Sequence, residues 1–109
     1  MFVILRTINI IIVKKEVLLE QHKLAAKYAK ALGHPVRIYI IELLSKQSCC
    51  YSGDLSEELP IVKSTLSQHL KVLKEAGLIQ GEIEQPKIKY CINQDKLNEA
   101  RNILNEILN

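Results

Sequence analysis

The residues with the most chemical capacity in this 109-residue chain are concentrated between Lys63 and Ala76. Ser64, Thr65 and Ser67 bring hydroxyls, Gln68 a carboxamide, and Lys63, Lys71 and Lys74 ammonium groups. Such hydroxyls and amides are short enough to let a helix settle into a major groove. Gln68 can pair bidentately with adenine, and lysines neutralise phosphates. In isolation the same residues are better read as a merely solvated helix face, and it is the surrounding helix-turn-helix-ribbon order that reverses this. Lys87 and Lys89 follow Pro86 closely; on a ribbon tip they reach the flanking backbone or minor groove.

Three cysteines, Cys49, Cys50 and Cys91, form the other reactive set. Their odd number fits no disulfide framework and no secretory cleavage signature precedes them, so free thiols in a reducing cytoplasm are expected. His22 falls on a polar helix face and His34 at a helix junction, where solvation or capping is expected before metal binding. His69, just before Leu70, is expected to support packing rather than touch a base. No nucleophile has a recognisable base partner, and no glycine-rich loop joins a strand to a helix. No enzymatic activity, cofactor or metal is expected.

The elements that position these residues follow from periodicity and punctuation. Apolar residues recur at helical spacing from Lys14 to Leu32, which predicts an amphipathic first helix ended by Gly33. Pro35 suits the first position of a second helix running to about Ser45. Its sequence leaves almost no polar face, so a central buried helix is expected. A short third helix spans about Gly53 to Leu59, with Asp54 complementing its positive end and Pro60 stopping it. The Lys63 to Ala76 helix packs Leu66, Leu70 and Leu73 and presents its other faces, and Gly77 closes it. Two strands follow, Leu78 to Glu84 and Lys87 to Ile92, with Gln85 and Pro86 at the tip. The last helix, Gln94 to Leu108, is capped by Asn93 and carries Leu97, Ala100, Ile103, Leu104, Ile107 and Leu108 on one stripe.

Length allows a single domain, read as residues 14–109, with residues 1–13 as an apolar arm, extended or disordered. The 48% apolar and 25% charged residues fit a globular chain and exclude a wholly disordered or membrane-embedded one. Only five residues are aromatic (one Phe, four Tyr), too few for the stacking platforms that grip single strands. The net charge of +3 is mild but uneven. Residues 14–46 carry seven Lys/Arg against three Glu, whereas Asp54, Glu57 and Glu58 stand without a base. The arm, Met1 to Val13, has ten apolar residues but includes Arg6 and Asn9. It is well short of the ~20 needed to span a bilayer, and a signal peptide is disfavoured because no small-residue cleavage site follows. A membrane-surface anchor is a further reading of the arm.

Helix, turn, helix and ribbon in this order have the geometry for duplex DNA. KALGHPVRIYIIELL (residues 30–44) and STLSQHLKVLKEAGLI (residues 64–79) make the chain resemble the ArsR-type family of winged-helix transcriptional repressors from about Ala29 to Asn93. The resemblance implies a mainly α fold of about five helices with a two- to three-stranded wing. It also implies a homodimer joined through the first and last helices, a recognition helix at Lys63 to Ala76, and release from a pseudo-palindromic operator on binding an effector. The DNA-binding set is then Lys63, Ser64, Thr65, Ser67, Gln68, Lys71, Lys87 and Lys89.

The sequence departs from the family at several points. Val62 stands where a capping serine is usual, and it cannot accept a hydrogen bond from the helix amides. Pro60 replaces a turn glycine, and Glu82 and Glu84 sit in the ribbon where bases are common. These departures motivate an alternative, a winged-helix protein-interaction module without DNA binding. The family's paired metal-binding cysteines correspond to Tyr51 and Gly53, and the last helix offers Asp95, Glu99 and Glu106 but no histidine, so metal sensing at the usual places is not expected. Cys49 and Cys50 lie in the segment that pairs, in a winged helix, with the strand holding Cys91. The three are therefore a candidate thiol sensor, by disulfide, metal or persulfide; the competing expectation is a packed Cys91 and two incidental thiols.

Overall fold

The computed structural model describes residues 19–46, 55–84 and 87–109. The apolar arm, the ribbon tip and the segment holding Cys49 and Cys50 lie outside the described residues. Helix α1 is described over residues 19–32; α2 spans Pro35–Ser45, α3 Leu55–Glu58 and α4 Lys63–Glu75. Strands β1, Ile79–Glu84, and β2, Lys87–Ile92, precede α5, Gln94–Leu108. The five helices and two-stranded antiparallel ribbon agree with the winged-helix expectation. A third wing strand was expected at Cys49 to Tyr51, which lies outside the described residues.

Helix boundaries fall where local chemistry puts them. His34 is extended and its side chain accepts from the Val36 N–H, while Pro35 occupies the first turn of α2, where its missing donor costs nothing. Ala76 caps α4, and Gly77 follows in the left-handed region at φ 83°. There Gly77 N–H donates to the Lys74 carbonyl and Leu78 N–H to the Leu73 carbonyl, satisfying two otherwise orphaned acceptors. The side chain of Asn93 accepts from the Lys96 N–H and starts α5.

Tyr28, Ile40, Leu73, Leu78 and Ile79 are the largest fully buried side chains, joined by Ala31, Leu44, Leu55, Leu66, Leu70 and Ala100. The core thus sits between α1, α2, α4 and the base of the ribbon. Tyr28 also ties α1 to α5, its hydroxyl donating to Glu99 Oε2 at 3.1 Å. Burial raises the Tyr28 pKa, and the Glu99 carboxylate adds to the effect through the hydrogen bond and its charge.

Two expectations need correction. Helix α2 is not buried all round: Ile40 and Leu44 are, but Ile38 is 52% exposed and Tyr39 39%. Among the described residues the helix packs on α4 and β2, and composition does not reveal which side is left exposed. The second concerns the cysteines. Cys91 is disulfide-bonded rather than a free thiol, in a chain whose other cysteines are Cys49 and Cys50. An odd cysteine count in the sequence describes no pairing.

Candidate nucleic-acid interface

Helix α4 has two distinct faces. Leu66, Leu70 and Leu73, at four- and three-residue steps, are 5%, 7% and 0% exposed. The opposite surface places Lys63, Ser64, Thr65, Ser67, Gln68, Lys71 and Lys74 in solvent. The hydroxyl, amide and lysine groups singled out in this helix are therefore brought onto one accessible convex surface. Helix α3 packs on α4 through an interface that includes buried Leu55, and the intervening residues 59–62 form the turn.

The start of α4 is open. Val62 is extended (φ −72°, ψ 152°) and makes no side-chain cap, although its carbonyl accepts from Leu66 N–H at 3.0 Å. First-turn N–H groups without a side-chain cap remain available to an anion. Along the exposed face, Lys71 Nζ lies 3.9 Å from Glu75 Oε1, a solvent-screened pair that holds the lysine only weakly.

The ribbon register sets Lys87 opposite Glu84 and Lys89 opposite Glu82. Below them Cys91 faces Gln80 and Ile92 faces Ile79, which is buried at the ribbon base.

His69 projects to the inner side of α4. Its Nδ1 lies 3.1 Å from Arg37 Nη1, and its ring centroid is 4.3 Å from that of His34. Desolvation lowers the His69 pKa, with the charges of His34 and Arg37 adding to the effect. His69 and His34 thus serve packing and capping, as expected from sequence. Arg37 was not singled out from the sequence; the available signal was a lone guanidinium inside the run VRIYIIELL, whose only other charge is Glu42. Among the described residues no group of three or more His, Cys, Asp or Glu is arranged to hold a metal ion, and no helix is long and apolar enough to cross a membrane.

Two short helices meeting at a tight turn, the second exposing a polar and basic face, followed by an antiparallel ribbon, define a winged helix-turn-helix protein. Residues 34–80 match the model of the arsR family of bacterial regulatory proteins. The chain is 30% identical over 89 residues to an uncharacterized HTH-type transcriptional regulator of Methanocaldococcus jannaschii, covering 82% of this chain and 100% of the relative. It is 35% identical over 81 residues to the transcriptional repressor SdpR of Bacillus subtilis, covering 71% and 89%. Among solved structures, the transcriptional repressor BigR of Xylella fastidiosa superposes with a TM-score of 0.64 at 28% identity, over 82% of this chain and 88% of that one. The chain belongs to the arsR family: it is a DNA-binding transcriptional regulator of the repressor type, and its relatives and fold are not those of enzymes.

Proposed function

We propose that the protein is a homodimeric, sequence-specific repressor that sets two copies of α4 into successive major grooves of a pseudo-palindromic duplex, about 34 Å apart, and leaves DNA in response to an effector. The observation that carries this reading is the division of α4: its leucines are buried and its hydroxyl, amide and lysine side is wholly accessible. Gln68, with Ser64, Thr65 and Ser67, reads base edges, and Lys63 and Lys71 contact phosphate. Lys87 and Lys89 add a weaker wing contact, on a ribbon that also carries Glu82 and Glu84. Support for pairing through α1 and α5 comes from apolar residues exposed among the described residues, notably Leu19, Ile107 and Leu108.

Selection from random duplexes tests the reading directly. The expected product is an inverted repeat whose binding weakens with salt, at a log–log slope of about −0.9 per neutralised phosphate. A chain that enriches no duplex at low salt is not a repressor of this kind.

The trigger best supported by a specific observation is thiol oxidation, because Cys91 is disulfide-bonded within the wing strand that packs on α2. Cys91 pairs with Cys49 or Cys50: the two thiols lose two protons and two electrons to a peroxide, which leaves as two waters. Such a bond, formed on the wing strand, is the proposed means of altering DNA affinity. Hydrogen peroxide should yield a Cys91-containing disulfide by mass spectrometry and change duplex affinity in the wild type but not in Cys91→Ser. An unchanged affinity defeats the redox reading and leaves DNA recognition standing.

A further inference from the structure

The corner between α1 and α2 holds a polar cluster that the DNA-facing surface does not use. The last carbonyls of a helix lack intrahelical donors, and at the end of α1 they are met by Arg37 from the first turn of α2. Its Nε donates to the Ala31 carbonyl at 2.6 Å and its Nη2 to the Lys30 carbonyl at 3.2 Å. Its Nη1 reaches Nδ1 of His69, in the middle of α4, at 3.1 Å. A guanidinium has donors only, so His69 Nδ1 is the acceptor and the proton of the neutral ring sits on Nε2. His34 completes the cluster, packed on His69 with the ring planes tilted by 44°. Its own Nδ1 accepts from the Val36 N–H at 3.1 Å. The corner is tight: a Cβ at Gly33 would stand 3.2 Å from the Ala29 carbonyl oxygen and 3.3 Å from that of Lys30.

We propose that Arg37 is a positioning residue for DNA recognition: its guanidinium fork ties the end of α1 to His69 and so sets the angle at which α4 presents Ser64, Ser67 and Gln68. The inference rests on the DNA-binding reading above. Apolar contacts of Leu66, Leu70 and Leu73 hold α4 at its distance from the core, but they are non-directional. The bond from Arg37 Nη1 to His69 is directional, and because the same guanidinium is held by two α1 carbonyls, it orients α4 about its axis. The same bonds connect α1, half of the proposed subunit interface, to the helix that reads DNA. Displacement of one is therefore felt by the other.

A lysine retains the charge but not the fork, and an asparagine at position 69 retains an acceptor close to where Nδ1 lies. Binding is measured to the duplex that the wild type enriches from a random library. Arg37→Lys and His69→Phe should each lower affinity about tenfold or more, the loss of a charge-assisted hydrogen bond, with the salt slope unchanged because phosphate contacts persist. His69→Asn should restore most of that affinity. In 15N spectra the wild-type His69 ring should show the Nε2–H tautomer, and Arg37→Lys should release that preference. If Arg37→Lys does not fold, the two His69 variants carry the test, since they leave the α1 capping bonds intact. Wild-type affinity in both Arg37→Lys and His69→Phe, or equal losses in His69→Phe and His69→Asn, overturns the positioning role while the DNA reading stands. A wild type that enriches no duplex removes the DNA reading and this inference with it.

Discussion

Helix α4 buries Leu66, Leu70 and Leu73 against its own chain, whereas α5, with 15 residues against 13 and an equally regular apolar stripe, buries only Ala100. Leu97, Ile103 and Leu104 are half-covered, and Ile107 and Leu108 stand 49% and 81% exposed. The starts of the two helices differ as well: Asn93 caps α5, while Val62 offers α4 nothing. A periodic apolar stripe therefore states that a face needs covering without stating what covers it. For α4 the cover is the chain's own core, and its polar side is left for a ligand. For α5 the described residues leave the stripe uncovered, and a second copy is the proposed cover.

The comparison breaks most visibly at the end of α5. Ile107→Glu should dissociate the proposed dimer, because a fully buried aliphatic side chain contributes about 1.5–3 kcal/mol and enters twice in a symmetric interface. Analytical ultracentrifugation reads the shift toward monomer, and an unchanged sedimentation coefficient across a dilution series would remove α5 from the interface. On α4 the corresponding loss falls on folding itself. Leu73→Ala should destabilise the chain by about 2–5 kcal/mol in urea unfolding, an effect that Ile107→Ala should not approach in the monomer.

On the polar side of α4, Gln68→Ala should remove about 1–3 kcal/mol of discrimination between the selected site and a scrambled one. Lys71→Ala should weaken all duplexes alike and reduce the salt slope by about one unit. Equal losses on matched and scrambled sites for both variants would dissolve this assignment of roles. The caps give a smaller contrast of opposite sign. Val62→Ser should stabilise the chain by about 1 kcal/mol and Asn93→Ala should cost a similar amount, both read by thermal denaturation.

The smallest effect is a pH dependence peculiar to α4. The His69 pKa is lowered in the folded chain, first by desolvation and then by His34 and Arg37. The unfolded chain takes up a proton below about pH 6.5 that the native ring resists. Stability from neutral His69 is therefore full above that pH and is lost as pH falls toward the lowered native value. The stability difference between wild type and His69→Asn should shrink on acidification through this window; a constant difference would show that the ring titrates equally in both states.

Much of the fold was legible because its punctuation is chemical. Pro35, Gly77 and Asn93 mark helix ends through a missing donor, a left-handed backbone and a capping carbonyl, and each stands where the sequence placed it. The leucines of α4 were legible because their spacing allows only one buried face. The exposed side of α2 was not, since a helix with apolar residues on nearly every face has no stripe to orient it. Arg37 was equally hidden: its partners are backbone carbonyls on α1 and a ring 32 residues away, and no local pattern announces either.

Sequence alone determined the elements, their order and the polar face of α4, because propensity, capping and periodicity act over a few residues. Tertiary structure alone decided which apolar faces were covered, that Glu82 and Glu84 stand opposite the wing lysines, that Cys91 is bonded, and that one guanidinium joins three helices. Those outcomes depend on distances between residues far apart in the chain, which only the folded backbone fixes.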